Sequence, residues 1–168
     1  MPERIICNTS PLFYLHRVGQ LELLPRLYGS ITVPDAVVAE LRAGREQGED
    51  APDPAAMAWI EVCAVRVPEI IALITDFGPG EAEVLALALE HPGSLVIVDD
   101  RLARTIAKGR GLRVTGTAGV LLKAKRAGHL PAVAPVLSEL TRLGFRLTPA
   151  TMQEILALAN ETTPALRS

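Results

Sequence analysis

Apolar residues arrive along this chain in two rhythms. Short runs rich in β-branched side chains, such as IIC at 5–7, ITV at 31–33, IEVCA at 60–64, LVIV at 95–98 and LRV at 112–114, alternate with longer stretches. Those longer stretches repeat apolar positions every three or four residues, the period of a helix packed on one side. The alternation predicts a βαβ layered sheet, with strands over residues 4–7, 31–33, 60–64, 95–98 and 112–114. A continuous apolar strand such as LVIV is buried on both faces, which points to parallel pairing.

Helices follow most of the strands. Asn8, Thr9 and Ser10 end the first strand and cap the apolar stretch that comes next. Pro34 suits the first turn of a helix through Ala36, Val37, Ala39, Glu40 and Leu41, and Gly44 suits its end. GPGEAEVLALALE at 78–90 is a strong helix former behind a Gly-Pro-Gly turn. Further helical patterns cover 101–109, 118–127 and 133–143, with Gly128 and Gly144 as C-caps. A last helix runs over 147–158, with Thr148 as N-cap and Pro149 in its first turn. Segment 43–56, AGREQGEDAPDPAA, is charged and Pro-rich without an apolar period, and reads as a mobile surface loop. Beyond Asn160 the pattern predicts fraying.

At 168 residues, the chain is read as one domain, residues 1–168, large enough to bury roughly 70% of its unfolded surface without disulfides or metal. No apolar run approaches the roughly 18 residues that cross a bilayer, and no charged-then-apolar leader opens the chain, so the expectation is a soluble cytoplasmic protein without membrane contact. Cys7 and Cys63 lie inside strand-like runs and read as buried, reduced thiols. His16, His91 and His129 show no metal-ligand spacing.

Net charge is only −2, yet its distribution is lopsided. Residues 35–100 hold fourteen acids and three bases, whereas 101–138 hold eight Lys and Arg and no acid. Cations suit the first segment and polyanions the second, although two solvated helix faces would produce the same pattern.

Several oxygens fall where strands or helices end at the carboxyl edge of a parallel sheet: Asn8, Glu40, Glu81, Glu83, Asp99 and Asp100. Acids scattered over different elements are what a hard cation such as Mg²⁺ or Mn²⁺ needs, and such an ion polarises a phosphodiester and activates water. Bland readings stand beside each. Pattern alone favours a solvent-facing Glu40 paired with Arg42 or Arg45, and acids in a first turn simply suit the helix dipole. One Asp is enough to cap the helix RLARTIAKG, so a second adjacent Asp exceeds the structural need. GRGLRVTGT at 109–117 fits neither a dinucleotide fingerprint nor a P-loop, and Thr117 reads first as a helix cap.

Taken in order, NTSPLFYL, VPDAVVAEL, GEAEVLALALE, LVIVDDRLAR and GLRVTGTAGVLLKAKRAG resemble a PIN domain, closest to a prokaryotic subgroup related to VapC-type toxins. The resemblance covers about residues 3–145. It implies a three-layer α/β/α sandwich around a central parallel sheet, and a Mg²⁺- or Mn²⁺-dependent ribonuclease site. It carries the family's acids onto Asn8, Glu40, Glu81 and Asp100, with Glu83 and Asp99 a small slip away. The implied metal ligands are Glu40, Glu81, Asp99 and Asp100. Ser10, Arg101, Arg104, Thr117 and Lys123 are the implied substrate contacts. It also implies RNA as partner, a homodimer, and silencing by an antitoxin protein whose segment enters the acidic groove. Asn8 stands where the family has Asp. Its carbonyl oxygen still ligates a hard cation but brings no charge, and its amide offers donors toward Glu40 or Asp100. Two expectations follow: a nuclease with weakened metal binding, or a degenerate module that binds RNA or a protein without cleaving.

Overall fold

The computed structural model describes residues 4–67 and 77–161. Among them are five strands, β1 (Ile5–Cys7), β2 (Ile31–Pro34), β3 (Ile60–Cys63), β4 (Leu95–Ile97) and β5 (Arg113–Thr115). They form one sheet of order β3-β2-β1-β4-β5, parallel throughout. Eight α-helices surround it among the described residues: α1 (Thr9–Arg17), α2 (Leu23–Tyr28), α3 (Asp35–Glu46), α4 (Pro79–Glu90), α5 (Arg101–Gly109), α6 (Thr117–Arg126), α7 (Ala134–Arg142) and α8 (Pro149–Leu158). The architecture is the expected α/β/α sandwich.

The two central strands carry the core. β1 pairs with β4 so that Ile5, Ile6 and Cys7 face Leu95, Val96 and Ile97. Ile6, Cys7, Val96 and Ile97 are fully buried, which is why both strands read as unbroken apolar runs. α4 packs across β1, β2 and β4 with α5 beside it, while α1 and α2 meet α6. Its buried residues, from Ala82 to Ala88, are almost continuous because α4 is pressed between sheet and neighbouring helices. Strand order reverses between β1 and β4, and in open parallel sheets ligands bind in the crevice beyond the carboxyl ends at that point.

The structure departs from the sequence reading in several places. β3 is an edge strand: Glu61 and Val62 are exposed and Cys63 is only half-buried, so the second thiol is not a core residue. α3 continues past Gly44, and the positive-φ residue beyond it is Gly48. The segment expected to be mobile is tied down, because Arg45 donates to the Pro52 carbonyl, His16 pairs with Asp50 at 2.9 Å, and Ala51 and Pro54 are buried. The six-residue α2 was not anticipated. Past Asn160, Glu161 is anchored: its carboxylate accepts bonds from Lys125 Nζ at 2.9 Å and from the amides of Val133 and Ala134 at 2.8 and 3.0 Å. Burial pushes the Glu161 carboxyl up, but these bonds outweigh it and hold it below the usual carboxylate range. The rest of the expected frayed tail lies outside the described residues.

Candidate functional site

Two helix starts at the carboxyl edge, those of α3 and α4, are satisfied by exchange. An α-helix begins with amides that have no intrahelical partner. The Gly80 amide at the start of α4 donates to Glu40 Oε1 of α3 at 2.8 Å, and the Ala36 amide at the start of α3 donates to Glu83 Oε2 of α4 at 2.7 Å. Each helix thus supplies the anion that the other's positive end favours. Glu40 is therefore not a solvent-facing partner of Arg42 or Arg45. Glu83 is a cap for α3, and its neighbour Glu81 is the one that lines the hollow.

Glu40 also accepts a short hydrogen bond from Thr9 Oγ1 through Oε2. Beside it stands Asn8, 2% exposed, whose side-chain oxygen is buried without a hydrogen-bond partner. It makes no N-cap bond to α1, and among the described residues its amide bonds neither Glu40 nor Asp100. A methyl group placed on Gly80 would meet Glu40 Oε2 at 2.6 Å, Glu40 Oε1 at 2.9 Å and Asn8 Oδ1 at 3.0 Å. Three acceptor oxygens thus crowd against the backbone at Gly80, and only a glycine admits them that closely. The hollow that Asn8 and Glu40 line has a volume of about 320 Å³ and is walled by Phe13 and Tyr14. Glu49 also lines it.

The Asp pair at the end of β4 divides its duties. Asp100 Oδ1 accepts from the Ala103 amide at 2.8 Å and caps α5. Asp99 turns toward α1 and α6. Its Oδ2 accepts Ser10 Oγ at 3.0 Å and Thr117 Oγ1 at 2.7 Å, and its Oδ1 accepts the Thr117 amide at 2.8 Å. Thr117 is fully buried and is not a helix cap; Gly116 holds the cap position of α6. Below this corner, burial and then the Asp99 charge push the Cys7 thiol well above its ordinary value. Burial, then Cys7, pushes Tyr28 up to about 12.

The predicted residues fall into three groups. Asn8, Ser10, Glu40 and Glu81 line one hollow, and Asn8, Ser10, Glu81, Asp99 and Asp100 line the adjoining one. Arg101 and Arg104 line a third depression that shares Asp99 with the second. Lys123 lies apart, its Nζ 4.3 Å above the Tyr28 ring. Among the described residues, no three His, Cys, Asp or Glu side chains gather at metal-holding spacing. Sequence reasoning missed Thr9, Gly80, Phe145 and Arg146. Gly80 left a signal: a glycine inside a strong helix former costs about 1 kcal/mol relative to Ala, so its presence in the first turn asks for a steric reason.

A family model described as a PIN domain matches residues 4–161. No curated protein and no solved structure matches the chain.

Proposed function

Because the chain belongs to the PIN-domain family, we propose that its carboxyl-edge groove is the active site of a Mg²⁺- or Mn²⁺-dependent ribonuclease of the toxin type. The observation that carries this reading is the unpartnered Asn8 oxygen converging with the Glu40 carboxylate over Gly80. Buried acceptors without donors are costly in protein, by about 1–3 kcal/mol each, and are what a hard cation satisfies. The residues fit such an ion in its modest form: one carboxylate and one amide oxygen, with remaining positions left to water and phosphate. When bound, the ion supplies Lewis-acid polarisation of a phosphodiester and a more acidic water.

The chain's own residues divide the remaining work. Glu40 and Asn8 would hold the ion, and Gly80 fixes Glu40 through its amide. Glu81 lines both hollows and adds negative charge at their junction. Asp99 is a positioning residue that orients the Ser10 and Thr117 hydroxyls. Asp100, exposed and capping α5, acts on helix geometry.

The test is RNA cleavage in Mn²⁺ by the whole chain beside Glu40→Gln. Cleavage by the first and not the second is expected; equal cleavage by both would assign the activity to a contaminant. The lack of a three-carboxylate cluster among the described residues favours a second reading, a module that holds RNA without cutting it. RNA retention with no calorimetric Mn²⁺ signal, and a signal restored by Asn8→Asp, would select it. The toxin-type setting adds a homodimer and an antitoxin segment in the same groove, which a sedimentation measurement and a neighbouring small gene would test.

A further inference from the structure

The groove does not end at the acids. α5 carries Arg101, Arg104 and Lys108 at spacings of three and four residues, which places them on one stripe of the helix. That stripe lines a depression of about 360 Å³ whose opposite wall is the connector between α7 and α8, with Phe145 and Arg146. The adjoining acidic hollow, with Asn8, Glu81 and Asp99, is lined by the same Phe145 and Arg146. Cations from two separate elements thus line one depression, which shares Asp99, Phe145 and Arg146 with the acidic hollow. Among the described residues, none of these four cations forms an ion pair, whereas Arg4, Arg45, Lys125 and Arg142 do. Arg104 is half-buried, and its Nη1 lies where a side chain at Gly116 would have to go, 2.5 Å from that position, with Asp99 Oδ1 at 2.9 Å. Gly116 therefore admits Arg104 from the basic stripe and Asp99 from the acidic corner on the same side of the backbone.

We propose that Arg101, Arg104, Lys108 and Arg146 form a track for the sugar-phosphate backbone of single-stranded RNA, with Phe145 as the base-stacking surface where the track enters the acidic hollow. This deepens the nuclease reading and rests on it for the direction of the strand into the site. A concave basic channel with an aromatic ring is the arrangement that single strands use, because each base has a face to stack and each phosphate a charge to pair. A-form duplexes are met instead across their outer grooves, which a channel flanked by two protein walls does not reach.

The test is anisotropy of a labelled single-stranded RNA on the whole chain in EDTA, from 50 to 300 mM salt, so that affinity is read without cleavage. Lys108→Ala and Arg146→Ala are each expected to weaken binding about three- to tenfold and to flatten the slope of log K against log salt by about 0.7. Arg126→Ala, an exposed cation in the last turn of α6, removes the same charge outside the channel and is expected to leave the slope unchanged. Phe145→Leu is expected to weaken binding without changing the slope. Equal losses from Arg126→Ala and Arg146→Ala, or tighter binding of the annealed duplex than of the single strand, would overturn the track. Salt-dependent loss in the two track variants with no Mn²⁺-dependent cleavage by the whole chain leaves the track standing and removes the nuclease reading. Cleavage that Glu40→Gln abolishes, with affinity unchanged in both track variants, does the reverse.

Discussion

The Glu40 corner and the Asp99 corner sit at the ends of adjacent parts of one sheet, yet their hydrogen-bond accounts are opposite. At Asp99 three donors meet one carboxylate, and both oxygens are taken. At Glu40 a carboxylate with two donors shares its space with an amide oxygen that has none. A corner in which donors saturate the acceptors holds structure together. One in which a buried acceptor lacks a donor beside a carboxylate is the corner that the proposed cation would complete.

The sharpest way to break this comparison is to neutralise each acid in turn. Glu40→Gln is expected to lower Mn²⁺-dependent RNA cleavage by at least about 100-fold, beyond the usual cost of losing a mere supporting residue, while its melting temperature falls less than that of Asp99→Asn because the amide oxygen still accepts from Gly80. Asp99→Asn should show the converse weighting. Removing a charge that gathers three donors costs about 2 kcal/mol, or roughly 4–8 °C in Tm for a chain of this size, measured by thermal melting. If Asp99→Asn melts normally and Glu40→Gln melts early, the two corners have been assigned the wrong way round. Asn8→Asp adds charge to the acceptor-rich corner and is expected to tighten Mn²⁺ by about tenfold in calorimetry. Gly80→Ala gives the smallest and most diagnostic change. Better helix propensity offsets the crowding, so Tm should move by no more than about 2 °C, while cleavage falls about tenfold as Glu40 is displaced.

Much of this molecule was legible in one dimension, for physical reasons that can be named. β1 and β4 are buried on both faces, so their apolar runs have no polar interruptions to mislead the eye. The helix over 149–158 announced itself through Thr148, whose hydroxyl does accept from the Thr151 amide at 3.1 Å. The edge strand β3 misled because its sequence is as β-prone as a central strand, while burial is decided by what packs against it. Glu161 escaped notice because its three partners lie 27 to 36 residues away, beyond any local pattern.

At the site, the sequence could say that Asp99 and Asp100 were one acid too many for a cap. It could not say which was the cap, since that depends on a side-chain rotation. The solvent-facing reading of Glu40 failed for a related reason: its partners, Thr9 and Gly80, are 31 and 40 residues distant, whereas Arg45, near in sequence, donates to the Pro52 carbonyl. The Phe145–Arg146 connector had no helix period and fell outside the acid-free basic window, so only the folded chain brings it to the groove.

The exchanged caps of α3 and α4 bear on how the site opens. Neither helix start is complete without the other, so loosening α4 strips Ala36 of its acceptor at the same moment that it releases Glu40 from Gly80. The two helices therefore constitute one unit of local unfolding, and the amides of Ala36 and Gly80 should exchange with deuterium at a common opening free energy. On this account the groove is expected to be assembled or dismantled in one step, and unequal exchange of the two amides would break the coupling.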